Sequence, residues 1–525
     1  MIIDSNNLDQ KSIQTDICVV GSGPSAFSFV KNFLDTNYTV SIVESGNFSF
    51  DQEVNLLNNG QLDMFGNFPH QDYMLKSARV RMIGGTSNVW AGWSGPLLKE
   101  DFNYKQWIPK SGWEIEYDDL QHYYLDAQKL LGLSKFIYDE NLFNYYPKKT
   151  NINKLEIFNH SFWQFSDPPI NFKKKFKKEI GESNNINLYY NCTGSIFAKG
   201  SNDTIENLKA FNSKKDKISF NSKYFIVACG GIENATLLLN SKQSIEALNK
   251  NKNIGNYFFE HPHVTLAKGE TSNFNFLETY KKQKLKKLDN IQSLVGFSLK
   301  KEDRIINQIS NCINVVSNHN LLDVESAVII RHMMALKSSI ISKTKLINIF
   351  FRNFPYLLEA FKLITKNTII KNKIFYIISR LEQQPIYENR IYLSKERNKY
   401  GNFLPKINWQ LSDLDYRTLK INYKTIYNYF NLTKVAKIRP SYFIESLDKQ
   451  IKKDVFAVGH HMGTTRMSKD MSTGVVNRNL RVHNLNNLFV AGSSTFPTGG
   501  FINPTMTVIA LSLRLGNHIK ELLEK

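Results

Sequence analysis

The chain has 525 residues, 42% of them hydrophobic, and a formal net charge of +20. That length exceeds one compact core and points to two domains. The charge raises nucleic acid or an anionic membrane as partners, but it is spread along a chain rich in Lys, Asn and Ile, and no nucleic-acid-binding motif accompanies it, which argues against a nucleic-acid role.

No stretch approaches the roughly 20 apolar residues of a membrane span. Cys18, Cys192, Cys229 and Cys312 are far apart and form no CxxC pair, so neither a zinc site nor a disulfide framework is expected. Cys18 and Cys229 fall in apolar, strand-like runs and read as buried thiols. The start, M-I-I-D-S-N-N-L-D-Q, lacks a basic segment followed by an apolar one, so no secretory signal and a cytoplasmic location are expected.

Asp16 to Val20 predicts a short buried strand. It runs into G-S-G-P-S-A, with Gly21, Gly23 and Ala26 at the spacing G-x-G-x-x-A. A helical pattern follows through Leu34, and then a second strand, Thr39 to Val43, ending on Glu44. Gly21 permits the tight strand-to-helix turn, Gly23 lets a pyrophosphate reach the backbone, and Ala26 lets helix and strand pack closely. Ser25, in the same loop, joins them as a cofactor-binding candidate. The helix amino terminus favours the phosphate's charge. Glu44, about 20 residues beyond the glycines, is placed to bind ribose hydroxyls. The pattern predicts a dinucleotide site and leaves FAD and NAD both open.

Arg81 to Pro96 places Thr86, Ser87 and Asn88 between glycines, a loop able to press backbone and small polar groups against a flat ring. Trp90 and Trp93 either line the substrate side or pack beneath the loop. Glu100 to Tyr190 carries no motif. Phe220 to Cys229 predicts a strand, Gly230 and Gly231 a close turn, and Ala235 to Leu239 the start of a helix. His261, in I-G-N-Y-F-F-E-H-P-H, reads as a structural residue near a domain junction. Lys337 to Arg380 contains Lys343, Lys345, Arg352, Lys362, Lys366, Lys371 and Lys373, with Glu359 alone acidic. This predicts a basic amphipathic insertion: a solvated helical face, a membrane-surface contact, a pocket cap or a partner site.

Near the end, the adjacent His460 and His461 precede Gly463 and Thr464, which suits a loop presenting a base. Asn487 to Val490 predicts a buried strand. Ala491 to Ser494 breaks it with small residues that let a ligand approach the backbone. Thr505 to Leu515 has the apolar density of a buried helix, with Asn503 and Pro504 at its mouth as cap and first helical residue.

In order, H-x-x-G-T-x-R-M, L-R-V-x-x-x-x-N-L, A-x-x-x-x-F-P and N-P-T-x-T resemble the carboxy-terminal signature of the glucose-methanol-choline (GMC) family of flavin oxidoreductases. The details resemble its bacterial sugar dehydrogenase and pyranose oxidase branch. The resemblance selects FAD. It implies an α/β fold with a Rossmann-like FAD-binding domain (1–98, 191–263, 454–525). A discontinuous α+β substrate domain (99–190, 264–453) would rest on a large, mostly antiparallel sheet. Glu382 to Ser394 matches a strand that the family places in that sheet, and Leu404 to Asp415 the strand and helix start that follow. Gly85, Thr86, Ser87 and Asn88 would lie against the flavin. Val89 stands where some relatives carry a flavin-linked histidine, so non-covalent binding follows. Gly492 and Ser493 would face the pyrophosphate, and Thr505 and Met506 the pyrimidine edge. His460, three residues before Gly463, matches the family's base and Asn503 its paired residue, with His461 the alternative base or a group behind it.

The implied function is oxidation of a sugar, polyol or other alcohol by hydride transfer to flavin, with dehydrogenase placed ahead of oxidase. The electron acceptor is left open among a quinone, an electron-transfer protein and oxygen. The alternatives are a hydroxynitrile-lyase-like activity and a membrane-surface flavoprotein that passes electrons to a partner.

Overall fold

The computed structural model describes residues 1–64, 75, 78–146, 157–319, 374–446 and 455–525. Its first sheet is organised by the apolar run Ile17 to Val20, whose side chains are buried throughout. A strand covered on both faces is the pattern of a parallel sheet. The strand Ser12–Val20 lies between Val40–Val43 and Lys217–Val227, all parallel. Ile186–Tyr190 and Ile2–Asp4 extend the sheet on one side, and Leu488–Val490 joins Lys217–Val227 on the other. Lys217–Val227 also pairs antiparallel with Ile205–Asn212, which pairs with Cys192–Lys199.

The helices Pro24–Val30 and Thr505–Glu524 cross where Ser25 Oγ meets Ser512 Oγ at 2.8 Å. The helix Gln121–Leu130 packs outside them, with Tyr124 Oη 3.0 Å from Thr507 Oγ1. Beneath, Phe27 sits edge-on to Phe172 and Phe176 at 5.6 and 5.0 Å. Each such fully buried ring contributes about 1.5–3 kcal/mol.

The second sheet is antiparallel, in the order Gln283–Leu285, Ile291–Leu299, Cys312–Ser317, Ile374–Leu381, His263–Glu270 and Lys437–Pro440. Phe158–Phe165 also pairs with Ile291–Leu299, and Val455–Phe456 with His263–Glu270. The helix Asp413–Thr433 covers the sheet. Its start is fixed by a reciprocal cap in which Asp415 N donates to Ser412 Oγ (3.2 Å) and Ser412 N to Asp415 Oδ2 (2.7 Å). Lys105 Nζ lies 2.9 Å from both carboxylate oxygens of Glu382, tying the end of this sheet to the first core.

Four expectations change here. Ile186–Tyr190, assigned with 99–190 to the substrate side, is an inner strand of the first sheet, and the helix Gln121–Leu130 packs on that core as well. Gln61–Met64, assigned to the FAD side, pairs parallel with Phe403–Trp409. The hairpin Arg390–Arg397 and Phe403–Trp409 therefore belongs to a separate three-stranded sheet rather than the large one. Most of the expected insertion at 337–380 lies outside the described residues. Its last part, Ile374 to Arg380, is a strand, because Ile-Phe-Tyr-Ile-Ile favours a pleated, half-buried surface over a helix. Among the described residues, no helix is long and apolar enough to cross a membrane.

Candidate active site

A cavity of about 750 Å³ opens between the carboxyl ends of the parallel strands and the antiparallel sheet above them. That is where open α/β sheets place ligands. At one end, Gly21 has φ +102°, and a Cβ there would lie 2.5 Å from Ala228 O, so only glycine fits between the strands. A Cβ on Gly23 would meet nothing within 4 Å: its Cα faces open space in the cleft. Glu44 accepts from Ser22 N and Oγ (3.1 and 2.6 Å) and from Gly46 N (2.7 Å), which fixes the carboxylate on the cavity wall.

Gly85 approaches within 3.0 Å of Gly23 Cα, measured from an added Cβ. This brings the Thr86–Ser87 loop against the glycine turn. Gly492, at φ +115°, faces the same space, and Asn234 fastens it by donating to Ala491 O (3.0 Å) and Ser494 Oγ (2.8 Å). Open glycine Cα atoms, an anchored acid and a ring-facing loop fit a dinucleotide carrying a flat ring system. Val89, buried on this wall, offers no nucleophile for a covalent link.

At the other end the chain assembles a relay of imidazoles. Gly499 O can only accept, so His261 Nε2 carries its hydrogen, at 3.2 Å. Neutral His261 then presents a bare Nδ1, and His460 Nδ1 donates to it at 3.0 Å. This leaves His460 Nε2 as the unprotonated nitrogen, whose lone pair accepts from Asn503 Nδ2 at 3.0 Å. One carbonyl oxygen thus sets the tautomer of a histidine two residues along the chain of hydrogen bonds.

Burial, then repulsion by His261 and Arg380, holds the His460 imidazole well below its ordinary value. Burial pushes His261 down to about 4. Behind the relay, Glu260 Oε2 accepts from His460 N (2.8 Å) and His261 N (3.3 Å). Burial nevertheless raises this carboxyl to about 8, while burial and Arg79 lower His461 to about 3. Glu260 Oε1 and His461 Nε2 lie 3.4 Å apart.

The structure brings Gly21, Gly23, Ser25, Glu44, Gly85, Thr86, Ser87, Gly492, Ser493, Thr505, Trp90, Trp93, His460, His461 and Asn503 to the cavity wall. Three candidates lie off it. Ala26 is buried where helix and strand pack. Asn88 turns inward, donating to Ile83 O (2.9 Å) and Gly85 O (2.8 Å), so it holds the loop instead of facing a ring. Met506 points into the core, because the helix Thr505–Glu524 buries that face. Asn503 does not cap this helix: its side chain is turned to His460. Cys229, expected to be buried, is half-buried and lines the cleft. Sequence reasoning missed Glu260 and Arg380 and read His261 as merely structural. Their partners are about 120 to 200 residues away, so nothing in the neighbouring sequence ties them to the site.

Residues 385–512 match the family described as GMC oxidoreductase. Three curated relatives match over shorter stretches. 2-Methyl-1,2-propanediol dehydrogenase of Mycolicibacterium austroafricanum is 42% identical over 11% of this chain and 11% of its own. The fructose dehydrogenase large subunit of Gluconobacter japonicus is 29% identical over 27% and 24%. Pyranose 2-oxidase of Tricholoma matsutake is 33% identical over 16% and 14%. The matches thus span at most about a quarter of those relatives' lengths. In fold, the chain is similar to formate oxidase (TM-score 0.58, 16% identity, 98% of this chain and 99% of that one). It is also similar to pyridoxine 4-oxidase of Mesorbium loti (0.55, 13%, 97% and 99%). Residues 385–512 thus match the GMC oxidoreductase carboxy-terminal model, and the chain as a whole shares the fold of formate oxidase and pyridoxine 4-oxidase.

Proposed function

We propose that this protein binds FAD non-covalently in the cleft and oxidises a hydroxyl group of a sugar, polyol or other alcohol to a carbonyl. The observation that carries the reading is His460 Nε2, held as a bare base beside the Asn503 amide on the cavity wall. FAD, when bound, supplies the hydride acceptor. Gly21, Gly23, Glu44 and Gly492 would hold its dinucleotide part, and the Gly85–Ser87 loop its ring end.

The rest of the chemistry belongs to the protein. A substrate hydroxyl replaces the hydrogen bond between Asn503 Nδ2 and His460 Nε2, donating to the imidazole and accepting from the amide. Its proton passes to His460 as the carbon–hydrogen bond breaks. The Asn503 amide steadies the oxygen as negative charge develops. His261 acts through His460 by fixing which nitrogen is bare. Trp90 and Trp93 wall the substrate side, and Trp90 is held by its Nε1 bond to Ile170 O at 3.1 Å.

The test is a panel of sugars, polyols and simple alcohols added to the flavin-loaded protein without oxygen, followed by dye and oxygen as acceptors. Bleaching of the flavin by one alcohol class supports the reading. A lyase would leave the flavin oxidised throughout.

The pH dependence follows from the buried imidazoles. His460 stays neutral far below pH 6.5, so the acid limb of the kcat/KM profile should lie well under that value. A limb inflecting at 6.5 or above contradicts the assigned environment. Stability behaves differently. Unfolded histidines take up protons near 6.5, while folded His261 and His461 do so only near 4 and 3. Stability therefore falls as pH drops below 6.5, by roughly 1.4 kcal/mol per pH unit for each group.

A further inference from the structure

Resting on the alcohol-oxidation reading, we infer that Glu260 is a positioning residue for the reaction, its carboxyl being the internal anchor that sets His460 and His261 against each other. His460 stands in a loop, between the short strand Val455–Phe456 and the bridge at Met462. A base carried by a loop needs something other than a hydrogen-bonded ladder to hold it within the fraction of an ångström that proton transfer demands. Gly459, at φ +84°, turns this loop inward, and backbone N–H groups turned to one side make a concavity that binds an oxygen. Glu260 Oε2 is that oxygen: it accepts from His460 N at 2.8 Å and from His261 N at 3.3 Å. The Val458 and Gly459 amides also favour its ionised form. The group is fully buried and, among the described residues, pairs with no lysine or arginine. A carboxyl is costly to bury, and an apolar side chain would fill the space without that cost. The amides of the relay are what it is there to bind.

One atom therefore joins the backbones of both relay histidines. Their 3.0 Å bond between Nδ1 atoms needs the rings to meet at one angle, 83° between their planes. A shared acceptor fixes the separation of the two main chains on which that approach depends. Glu260 is itself held from behind. Its N–H donates to Gln383 Oε1 at 2.9 Å, and the same oxygen accepts from Trp409 Nε1 at 2.7 Å. Phe259 and Met462 exchange backbone bonds of 3.1 and 3.0 Å, which ties the segment to the loop a second time. Towards the dinucleotide end, Ser493 Oγ donates to His461 O at 2.7 Å. Of these holds, the Glu260 bond is the one made to the backbone of His460 itself. The other oxygen, Oε1, faces His461 Nε2 at 3.4 Å, and neither atom has a hydrogen bond among the described residues. This makes Oε2 the working atom: a side chain that keeps an oxygen there keeps the anchor.

The pH profile is the readout that a merely structural role would leave alone. The titratable and charged groups facing His460 are His261, His461, His263 and Arg380, with Glu260 and Arg79 beside His461. Burial first, and then repulsion by these neighbours, holds the His460 imidazole well below 6.5. A loosened and better hydrated His460 titrates closer to 6.5.

The experiment compares wild type with Glu260→Gln, Glu260→Asp and Glu260→Met, flavin-loaded and without oxygen, using the alcohol that bleaches the wild type fastest. The readouts are the limiting rate of flavin reduction, the substrate Kd from its concentration dependence, flavin content and the pH of the acid limb. The glutamine keeps an acceptor at the Oε2 position and should stay within about threefold of wild type. The aspartate, one methylene short, should lose at least about tenfold in rate and the methionine, with no oxygen, about 100-fold, with Kd and flavin content unchanged. Their acid limbs should rise towards 6.5 in the same order. Aspartate and methionine variants reducing at the wild-type rate with the limb unmoved would overturn the assignment while leaving alcohol oxidation standing. So would a glutamine variant as slow as the methionine one. Where the methionine variant fails to hold flavin, the glutamine and aspartate variants decide by the same criteria. A wild type that no alcohol bleaches would overturn the alcohol-oxidation reading and this one with it.

Discussion

Replacing His460 by alanine should slow substrate-driven reduction of the bound flavin by roughly 10²- to 10⁴-fold, the usual contribution of a positioned general base. The expectation rests on which nitrogen is bare. Gly499 O fixes the His261 tautomer, His261 fixes that of His460, and His460 Nε2 is left facing Asn503 on the cavity wall. Flavin content should be unchanged, because the glycine turn, Glu44 and Gly492 lie at the other end of the cleft. Rapid mixing with substrate without oxygen measures the step directly. A rate within about threefold of wild type would remove His460 from the chemistry. Loss of flavin would show instead that the residue supports the fold.

Replacing Glu382 by glutamine should destabilise the protein by about 3–5 kcal/mol. The carboxylate is 1% exposed and lies 2.9 Å from the Lys105 ammonium by both oxygens; it also accepts from Asn311 N at 3.1 Å. Burial alone would lower the lysine, but Glu382 and Asp101 raise it on balance, so the ammonium remains charged inside the protein. The amide can still accept from Asn311, but it cannot balance the charge. Because this pair joins the antiparallel sheet to the first core, the loss should appear in the unfolding of both. Denaturant titration measures it, and the double replacement Lys105→Met with Glu382→Leu should cost less than the single one. A single-variant change under about 1 kcal/mol would contradict the account.

These two sites mark what a linear reading can reach. The glycine turn, the Glu44 acid, the His460 loop and the Asn503 mouth were legible because each is a local pattern whose chemistry depends on its immediate neighbours. The relay was not. His261 is an ordinary histidine before a proline until sheet pairing sets it 3.0 Å from a residue 199 positions later. Arg380 looked like the end of a basic insertion. Its place on the cavity wall comes from strand alternation and two indoles contributed by other segments. Domain boundaries failed for a related reason. Ile186–Tyr190 and Gln61–Met64 are short strands with no local mark of which sheet they join, and only long-range pairing decides between them. Asn88 and Met506 were one residue away from positions that do face the cleft, an error inherent in matching a motif without knowing which side of a turn or helix is buried.

The central claim, that the cleft is a non-covalent FAD site with His460 at its reacting end, is tested most directly by the chromophore of the purified protein. Acid denaturation should release a yellow supernatant containing FAD, leave the precipitated chain colourless, and refolding with FAD should restore the colour. A flavin that stays with the chain would contradict the non-covalent site at Val89, and a colourless protein that takes up no FAD would contradict the claim as a whole.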